Sequence, residues 1–203
     1  MTTDIARSIS DIAEEFGNGE IRLTAWQNLI IPHIPDEKLA DAQAAIGFAG
    51  LAYASTTVSG GLIACTGNTG CKFAAANTKG QAVILGQYLE SKVELDQPIN
   101  IHLTGCHHSC AQHYIGDIGL MGTPVKLESG EKVEGYNIVL GGGVDDTQAI
   151  AREVYKSIPF TDIPPLIEAL LKTYLTHRNP GETFAHFTQR EKIEDLVAQT
   201  KAA

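Results

Sequence analysis

Long hydrophobic runs are missing from the sequence. No uninterrupted apolar stretch reaches the roughly 18 residues that a bilayer-spanning helix needs, so we predict no membrane partner. The N-terminal segment "MTTDIARSISDIAEEFG" also lacks the basic start and apolar core of a secretory signal. Together these two absences predict a cytoplasmic protein, and in that compartment thiols stay reduced.

Positive charge is also in short supply. The sequence carries 15 Lys and Arg residues against 24 Asp and Glu residues, which gives a formal net charge of −9. A nucleic-acid-binding protein normally carries a basic patch. We therefore predict no nucleic-acid partner and attribute the acidity to solubility.

Cysteine is scarce, with four residues in 203. Cys65 and Cys71 form a C-x5-C pair, and Cys106 and Cys110 form a C-x3-C pair. Because disulfides are rare in the cytoplasm, these thiols are better interpreted as metal ligands or catalytic groups. Each pair follows a predicted strand and enters a glycine-containing turn, whose backbone N–H groups can point at sulfur or an anion.

The first 54 residues predict a small unit of helix, strand and helix. Apolar residues at helical spacing predict a helix over residues 4–16. Alternating residues in "EIRLTAWQNLIIPHI" predict a strand, and "DEKLADAQAAIGFAGL" predicts a second helix from residue 36. The polar segment "STTVSGG" then marks a boundary, so we expect domains at residues 1–54 and 55–203.

The second domain is predicted to alternate strands and helices. The expected strands are "GLIAC", "PINIHLTG", "HYIGDIGLMG" and "EKVEGYNIVLGGG". The expected helices are "FAAANTKGQAVILGQYLESKV", "DTQAIAREVYKSI", "DIPPLIEALLKTYLTHR" and the charged tail from Thr188. Asp145 or Asp146 is the candidate N-cap of the second of these helices. The alternation predicts an α+β class with α/β character.

Cysteine spacing alone leaves three interpretations open. Structural zinc prefers pairs spaced by two to four residues, so C-x3-C fits and C-x5-C is wide. An iron–sulfur cluster takes four cysteines from loops and tolerates varied spacing, which favours it. Unliganded buried cysteines are the third interpretation, since such residues are common.

The residues around the cysteines narrow this choice by resemblance. "ACTGNTGCKFAAANTKGQA" and "TGCHHSCAQHYIGDIGLMG" closely resemble the cysteine segments of the sirohaem-containing nitrite and sulfite reductases. The "CTGN", "SC" and "DIG" elements look most like the assimilatory ferredoxin–nitrite reductase branch. "GEIRLTAWQNLIIPHIPDEKL" resembles the ferredoxin-like half unit that precedes the cluster domain in that family, and "NPGETFAHFTQR" resembles its C-terminal end. The resemblance implies a ferredoxin-like half unit followed by a sirohaem and 4Fe–4S domain.

The resemblance also implies cofactors and ligands. A [4Fe–4S] cluster would be bound by Cys65, Cys71, Cys106 and Cys110. Cys110 would also bridge to the iron of sirohaem as its axial ligand. Three further residues are candidates for contact with the cofactors: Asn68, His107 and His108. The alternatives are hydrogen bonding within the turn for Asn68 and simple space-filling in the loop for the two histidines. The two histidines stand where the family usually has Pro-Asn, so the resemblance assigns them no role.

The implied function is the six-electron reduction of nitrite to ammonia. Family members consist of two homologous halves, and the chain resembles the C-terminal, cluster-carrying half. Activity is therefore expected to need an N-terminal half, which a separate chain could supply. The expected electron donor is a ferredoxin or a flavoprotein. Two alternatives stay open: a sulfite reductase fragment, and a non-catalytic iron–sulfur module for electron transfer or scaffolding.

Overall fold

The computed structural model describes residues 2–144 and 147–202. It divides into two compact units, Met1–Ser55 and Thr56–Ala203. Both units combine helices with strands, as the α+β prediction requires. No helix within the described residues is long and apolar enough to cross a membrane.

The first unit contains two helices and a short hairpin. The helices are α1 (Thr3–Phe16) and α2 (Leu39–Phe48), and the strands are β1 (Arg22–Leu23) and β2 (Leu29–Ile30). The Thr2 side chain caps α1 by accepting from the Ile5 amide. The single strand predicted between the helices is therefore corrected to two strands that pair antiparallel across a turn at Gln27, whose φ is 60°.

The second unit is built on a five-stranded sheet in the order β3-β4-β5-β6-β7. Its strands are β3 (Leu62–Ala64), β4 (Ile101–Thr104), β5 (Ile118–Lys126), β6 (Lys132–Leu140) and β7 (Arg152–Pro159). The β3, β4 and β5 strands are parallel, whereas β6 pairs antiparallel with both β5 and β7. Every residue of β4 is buried, as expected for the central strand of a parallel set.

Helices complete the core of the second unit. They are α3 (Thr78–Lys92), α4 (Ile163–His177), α5 (Phe184–Arg190) and α6 (Ile193–Ala202). Leu85 and Leu89 of α3 and Leu170 of α4 join the buried cluster that the inner strands form. Proline is accommodated in the first turn of α4 because the amides there lack helical partners.

The structure corrects two helix predictions in the second unit. The segment "DTQAIAREVYKSI" forms strand β7 from Arg152 onward rather than a helix. The proposed N-caps Asp145 and Asp146 lie outside the described residues. The tail from Thr188, predicted as one charged helix, takes in the end of α5 and all of α6, and Thr188 and Leu196 are buried.

Candidate functional site

The two cysteine pairs lie on neighbouring loops at one edge of the sheet. Cys65 directly follows β3, and Cys106 follows β4 after one intervening residue. These strands are parallel neighbours, so their carboxyl ends meet at the same edge. The Cys65 amide donates to the Leu103 carbonyl at 3.0 Å, which holds the first loop against β4.

Gly105 joins the two cysteine loops. Its N–H donates to the Sγ of Cys65 at 3.1 Å. A Cβ at Gly105 would lie 2.5 Å from the Cβ of Ala74, so the close approach of the loops requires glycine. This backbone donor can hydrogen-bond to sulfur in the thiolate form, which is the form in which cysteine binds a metal.

The first cysteine loop is a compact turn. Gly67 has φ +72°, and a Cβ there would lie 2.8 Å from the Thr78 amide nitrogen. The Cys71 amide donates to the Gly67 carbonyl at 2.9 Å, which closes the turn. Thr78 opens α3 and donates its hydroxyl to the Cys65 carbonyl at 2.7 Å. Both ends of the loop are thus fixed by hydrogen bonds.

The second cysteine loop carries backbone strain next to Cys110. Ser109 has φ 57° and Gln112 has φ 54°, the left-handed region that non-glycine residues enter at about 1–3 kcal/mol each. Two buried histidines support them: His113 Nδ1 lies 2.9 Å from the Ser109 hydroxyl, and His102 Nδ1 lies 3.0 Å from the Gln112 carbonyl. These contacts hold the turn that exposes Cys110.

The four thiols are unpaired and differ in exposure. Cys65, Cys71 and Cys106 are half-buried, whereas Cys110 is exposed. Over residues 2–144 and 147–202, no group of three or more Cys, His, Asp or Glu side chains is placed to hold a metal ion. A [4Fe–4S] cluster gives each of its four irons one thiolate, so its ligands stand farther apart than those of a single zinc ion. Four soft thiols on two adjacent loops are the ligand set that an iron–sulfur cluster takes.

His107 and His108 lie exposed between the second pair of cysteines. His108 Nδ1 is 3.4 Å from the Sγ of Cys106, and the edge of its ring meets Phe73 with ring centroids 5.3 Å apart. The rings of His107 and His108 are 4.3 Å apart. His108 thus contacts both the Cys106 thiol and a residue of the first loop.

Asn68 is engaged by a protein partner, Glu134 of β6. The Asn68 amide donates to Glu134 Oε1 at 2.5 Å. Glu134 Oε2 accepts from the Asn77 backbone N–H at 2.9 Å and from Gln81 Nε2 at 2.7 Å. The carboxylate therefore ties the first cysteine loop and the start of α3 to the sheet. Sequence reasoning missed Glu134, because nothing near it in the chain signals contacts that span more than fifty residues.

Replacing Glu134 by glutamine should loosen this loop. The glutamine amide places an N–H group where Glu134 accepts hydrogen bonds from Asn68, Asn77 and Gln81, so at least one of these bonds is lost. Bonds to a charged group contribute about 1.5–3 kcal/mol, and we expect a loss of that order in the free energy of unfolding. Urea unfolding measures it, with the exposed Glu131→Gln as the control that should change by less than about 0.5 kcal/mol. Equal stability of the two variants would contradict the role given to Glu134.

Asp117 is a buried carboxyl directly before β5. Its Oδ2 accepts from the Asn100 amide at 2.8 Å. Burial raises the pKa of Asp117 from an ordinary 3.8 to about 6, although the Asn100 hydrogen bonds act in the opposite direction. The folded protein thus holds this proton more tightly than the unfolded chain does.

The pH dependence of stability follows from this pKa. The contribution of the Asp117 proton is fully present below about pH 4 and is lost as the pH rises through about 6, a change of up to about 3 kcal/mol. Across pH 4 to 7, urea unfolding should therefore show that the wild type loses stability relative to Asp117→Asn as the pH rises. Burial lowers the pKa of His102 and His113, so their contributions fall with decreasing pH in both proteins and cancel in the comparison. Identical slopes for both proteins would refute this assignment.

Comparison with known proteins identifies the family. Residues 1–49 match the nitrite/sulfite reductase ferredoxin-like half domain, and residues 59–201 match the nitrite and sulphite reductase 4Fe-4S domain. The chain belongs to the nitrite and sulfite reductase family. The match confirms the predicted family, its fold, and its cofactors, a [4Fe–4S] cluster and sirohaem.

Individual relatives include both kinds of reductase. The ferredoxin–nitrite reductase of Synechococcus elongatus is 36% identical over 171 residues, which cover 84% of this chain and 33% of that protein. Sulfite reductase [ferredoxin] 1 of Mycolicibacterium paratuberculosis is 31% identical over 195 residues, which cover 93% of this chain and 35% of that protein. The chain therefore spans about a third of the length of these relatives.

Solved structures share the fold. The NirA protein of Mycobacterium tuberculosis superimposes with a TM-score of 0.88 at 31% identity, and the match covers 95% of this chain and 36% of that one. A dissimilatory sulfite reductase I matches with a TM-score of 0.81 at 13% identity. The second likeness concerns the fold alone.

Proposed function

We propose that the chain supplies the cluster- and sirohaem-binding part of an assimilatory nitrite reductase that reduces nitrite to ammonia. The observation that carries this proposal is the placement of all four cysteines on two adjacent strand-end loops within the segment that matches the 4Fe-4S domain. Nitrite is favoured because the Synechococcus relative, a nitrite reductase, is 36% identical, whereas the sulfite reductase relative is 31% identical.

In this proposal each cysteine binds one iron of the cluster. Cys65 and Cys71 come from the loop that Glu134 and Thr78 fasten, and Cys106 and Cys110 come from the loop that the buried histidines support. Cys110 is the exposed member, which suits a thiolate that also meets the sirohaem iron. The cluster supplies single electrons and sirohaem supplies the iron that binds the substrate anion.

The residues of this chain position the candidate ligands. The Gly105 N–H donates to the Cys65 sulfur, and the left-handed residues Ser109 and Gln112 turn Cys110 outward. In the proposed division, residues 1–54 form the ferredoxin-like half-domain and residues 55–203 the cofactor domain. Because the chain spans a third of its relatives, we propose that a further half of the enzyme completes the substrate site and that a ferredoxin or flavoprotein donates electrons.

Reduction of sulfite is the second candidate. The Mycolicibacterium relative, named a sulfite reductase, matches 93% of this chain. The same four cysteines would serve that reaction. A non-catalytic iron–sulfur module is the third candidate, because all four candidate ligands lie in this chain, which spans about a third of the length of the relatives.

A paired assay distinguishes these functions. The chain is purified without oxygen, alone and together with a complementary first half, and its visible spectrum, iron and acid-labile sulfide are recorded. Nitrite and sulfite are then supplied with a chemical reductant. Sirohaem bands with ammonia formation in the pair support the nitrite reductase, and sulfide formation with little ammonia supports the sulfite reductase. A cluster without haem and without turnover in either sample supports the non-catalytic module.

A further inference from the structure

His108 is held in a defined orientation between the two cysteine loops. The edge of its ring meets Phe73, two residues after Cys71, at an interplanar angle of 80°. The Lys72 ammonium lies over the ring of Phe73, 5.1 Å from its centroid. The ring of His107 packs against the ring of His108 at an interplanar angle of 45°. These contacts direct Nδ1 of His108 toward the Sγ of Cys106 at 3.4 Å.

The chemistry of a ligand thiolate decides which partner donates in this contact. A cysteine that binds iron has no proton on sulfur. The hydrogen of the His108–Cys106 contact must then come from the imidazole, which has one N–H when neutral. With the N–H on Nδ1, the contact is an N–H···S hydrogen bond to Cys106.

We propose that His108 donates a hydrogen bond to the Cys106 thiolate and thereby raises the reduction potential of the cluster. This inference rests on the proposed function, because it requires the cluster on the four cysteines. Reduction adds negative charge to the cluster, and a hydrogen bond to its sulfur stabilises the more negative state. His108 is a positioning and tuning residue here, since it acts through Cys106 rather than on the substrate.

His107 offers a matched control on the adjacent position. Among the residues that the structure describes, its recorded partner is the ring of His108, and no hydrogen bond joins it to a thiol. Both histidines are exposed. Replacement of either by phenylalanine removes one imidazole and preserves an aromatic ring, but only His108→Phe removes the donor to Cys106.

The test is a redox titration of the cluster, monitored by electron paramagnetic resonance, in the anaerobically purified chain. His108→Phe should lower the midpoint potential, and His107→Phe should leave it near the wild-type value. His108→Asn should restore much of the potential, because its amide N–H occupies a position close to that of Nδ1. An unchanged potential in His108→Phe, or an equal shift in His107→Phe, overturns the inference.

A second measurement does not depend on any His108 variant. Pulsed electron paramagnetic resonance of the reduced cluster, in wild-type chain with isotopically labelled histidine, should show coupling to a histidine nitrogen. The His107→Phe variant should retain this coupling. Absence of that coupling would overturn this inference but leave the proposed function standing. Iron and sulfide analysis of the wild-type chain is made first, and absence of a cluster there would overturn the proposed function and this inference together.

Discussion

Replacing Cys71 by alanine should abolish the iron–sulfur cluster. Each of the four irons takes one cysteine thiolate, so the loss of one ligand leaves an iron without its protein partner. We expect iron and acid-labile sulfide to fall from about four of each per chain to near zero in the purified variant. The visible absorption of the cluster should disappear with them.

The fold should survive this substitution. Cys71 is half-buried in a turn that its backbone amide closes, and alanine keeps that amide. Far-ultraviolet circular dichroism should therefore match the wild-type spectrum once both proteins have been freed of metal. Thr69→Ala is the matched control, because Thr69 is exposed in the same loop and carries no thiol. Full cluster content in Cys71→Ala would show that this thiol is not a ligand.

Replacing Gly105 by alanine should both destabilise the second unit and weaken cluster retention. The added methyl would lie 2.5 Å from the Ala74 Cβ, so the two cysteine loops must separate. Overpacking of this kind costs about 1–3 kcal/mol. Separation also lengthens the contact from the Gly105 N–H to the Cys65 sulfur, which is 3.1 Å in the structure.

Two measurements separate these effects. Urea unfolding of the cluster-free protein reports the steric cost, and the rate of iron loss to a chelator reports cluster retention. Gly47→Ala is the control, because a Cβ there meets nothing within 4 Å and the residue lies inside α2. Alanine inside a helix is stabilising by roughly 0.5–1 kcal/mol relative to glycine, so the control should change stability in the opposite direction. Wild-type stability in Gly105→Ala would disprove the close approach of the loops.

Local patterns predicted the elements that carry the cysteines. "GLIAC" and "PINIHLTG" contain β3 and β4 because short, buried parallel strands have continuous apolar runs. Parallel neighbours place their carboxyl ends together, so the two cysteine loops meet. The pairing itself could not be read from periodicity, since strand order depends on contacts distant in sequence.

The helix predicted over the segment that forms β7 was wrong for a physical reason. The segment from Arg152 contains good helix formers, and its alternation is broken by irregular pairing with β6 between Tyr136 and Val139. Ser157 has φ 53°, which disturbs the two-residue period there. Val154, Tyr155 and Ile158 favour a strand, and pairing with β6 stabilises it.

Contacts between residues distant in the chain were the other part of the site that could not be predicted from the sequence. Glu134 reaches Asn68 across 66 residues, and no local pattern marks an acidic residue in a strand as the anchor of a cysteine loop. His108 was visible in the sequence as a departure from the family's Pro-Asn. Its contact with Cys106 became apparent only from the geometry of the loop.

The most direct test of the central claim is metal and sulfide analysis of the wild-type chain purified without oxygen. The account predicts about four irons and four acid-labile sulfides per chain, with the broad visible absorption of a [4Fe–4S] cluster. One zinc ion per chain, with neither iron nor sulfide, would contradict it.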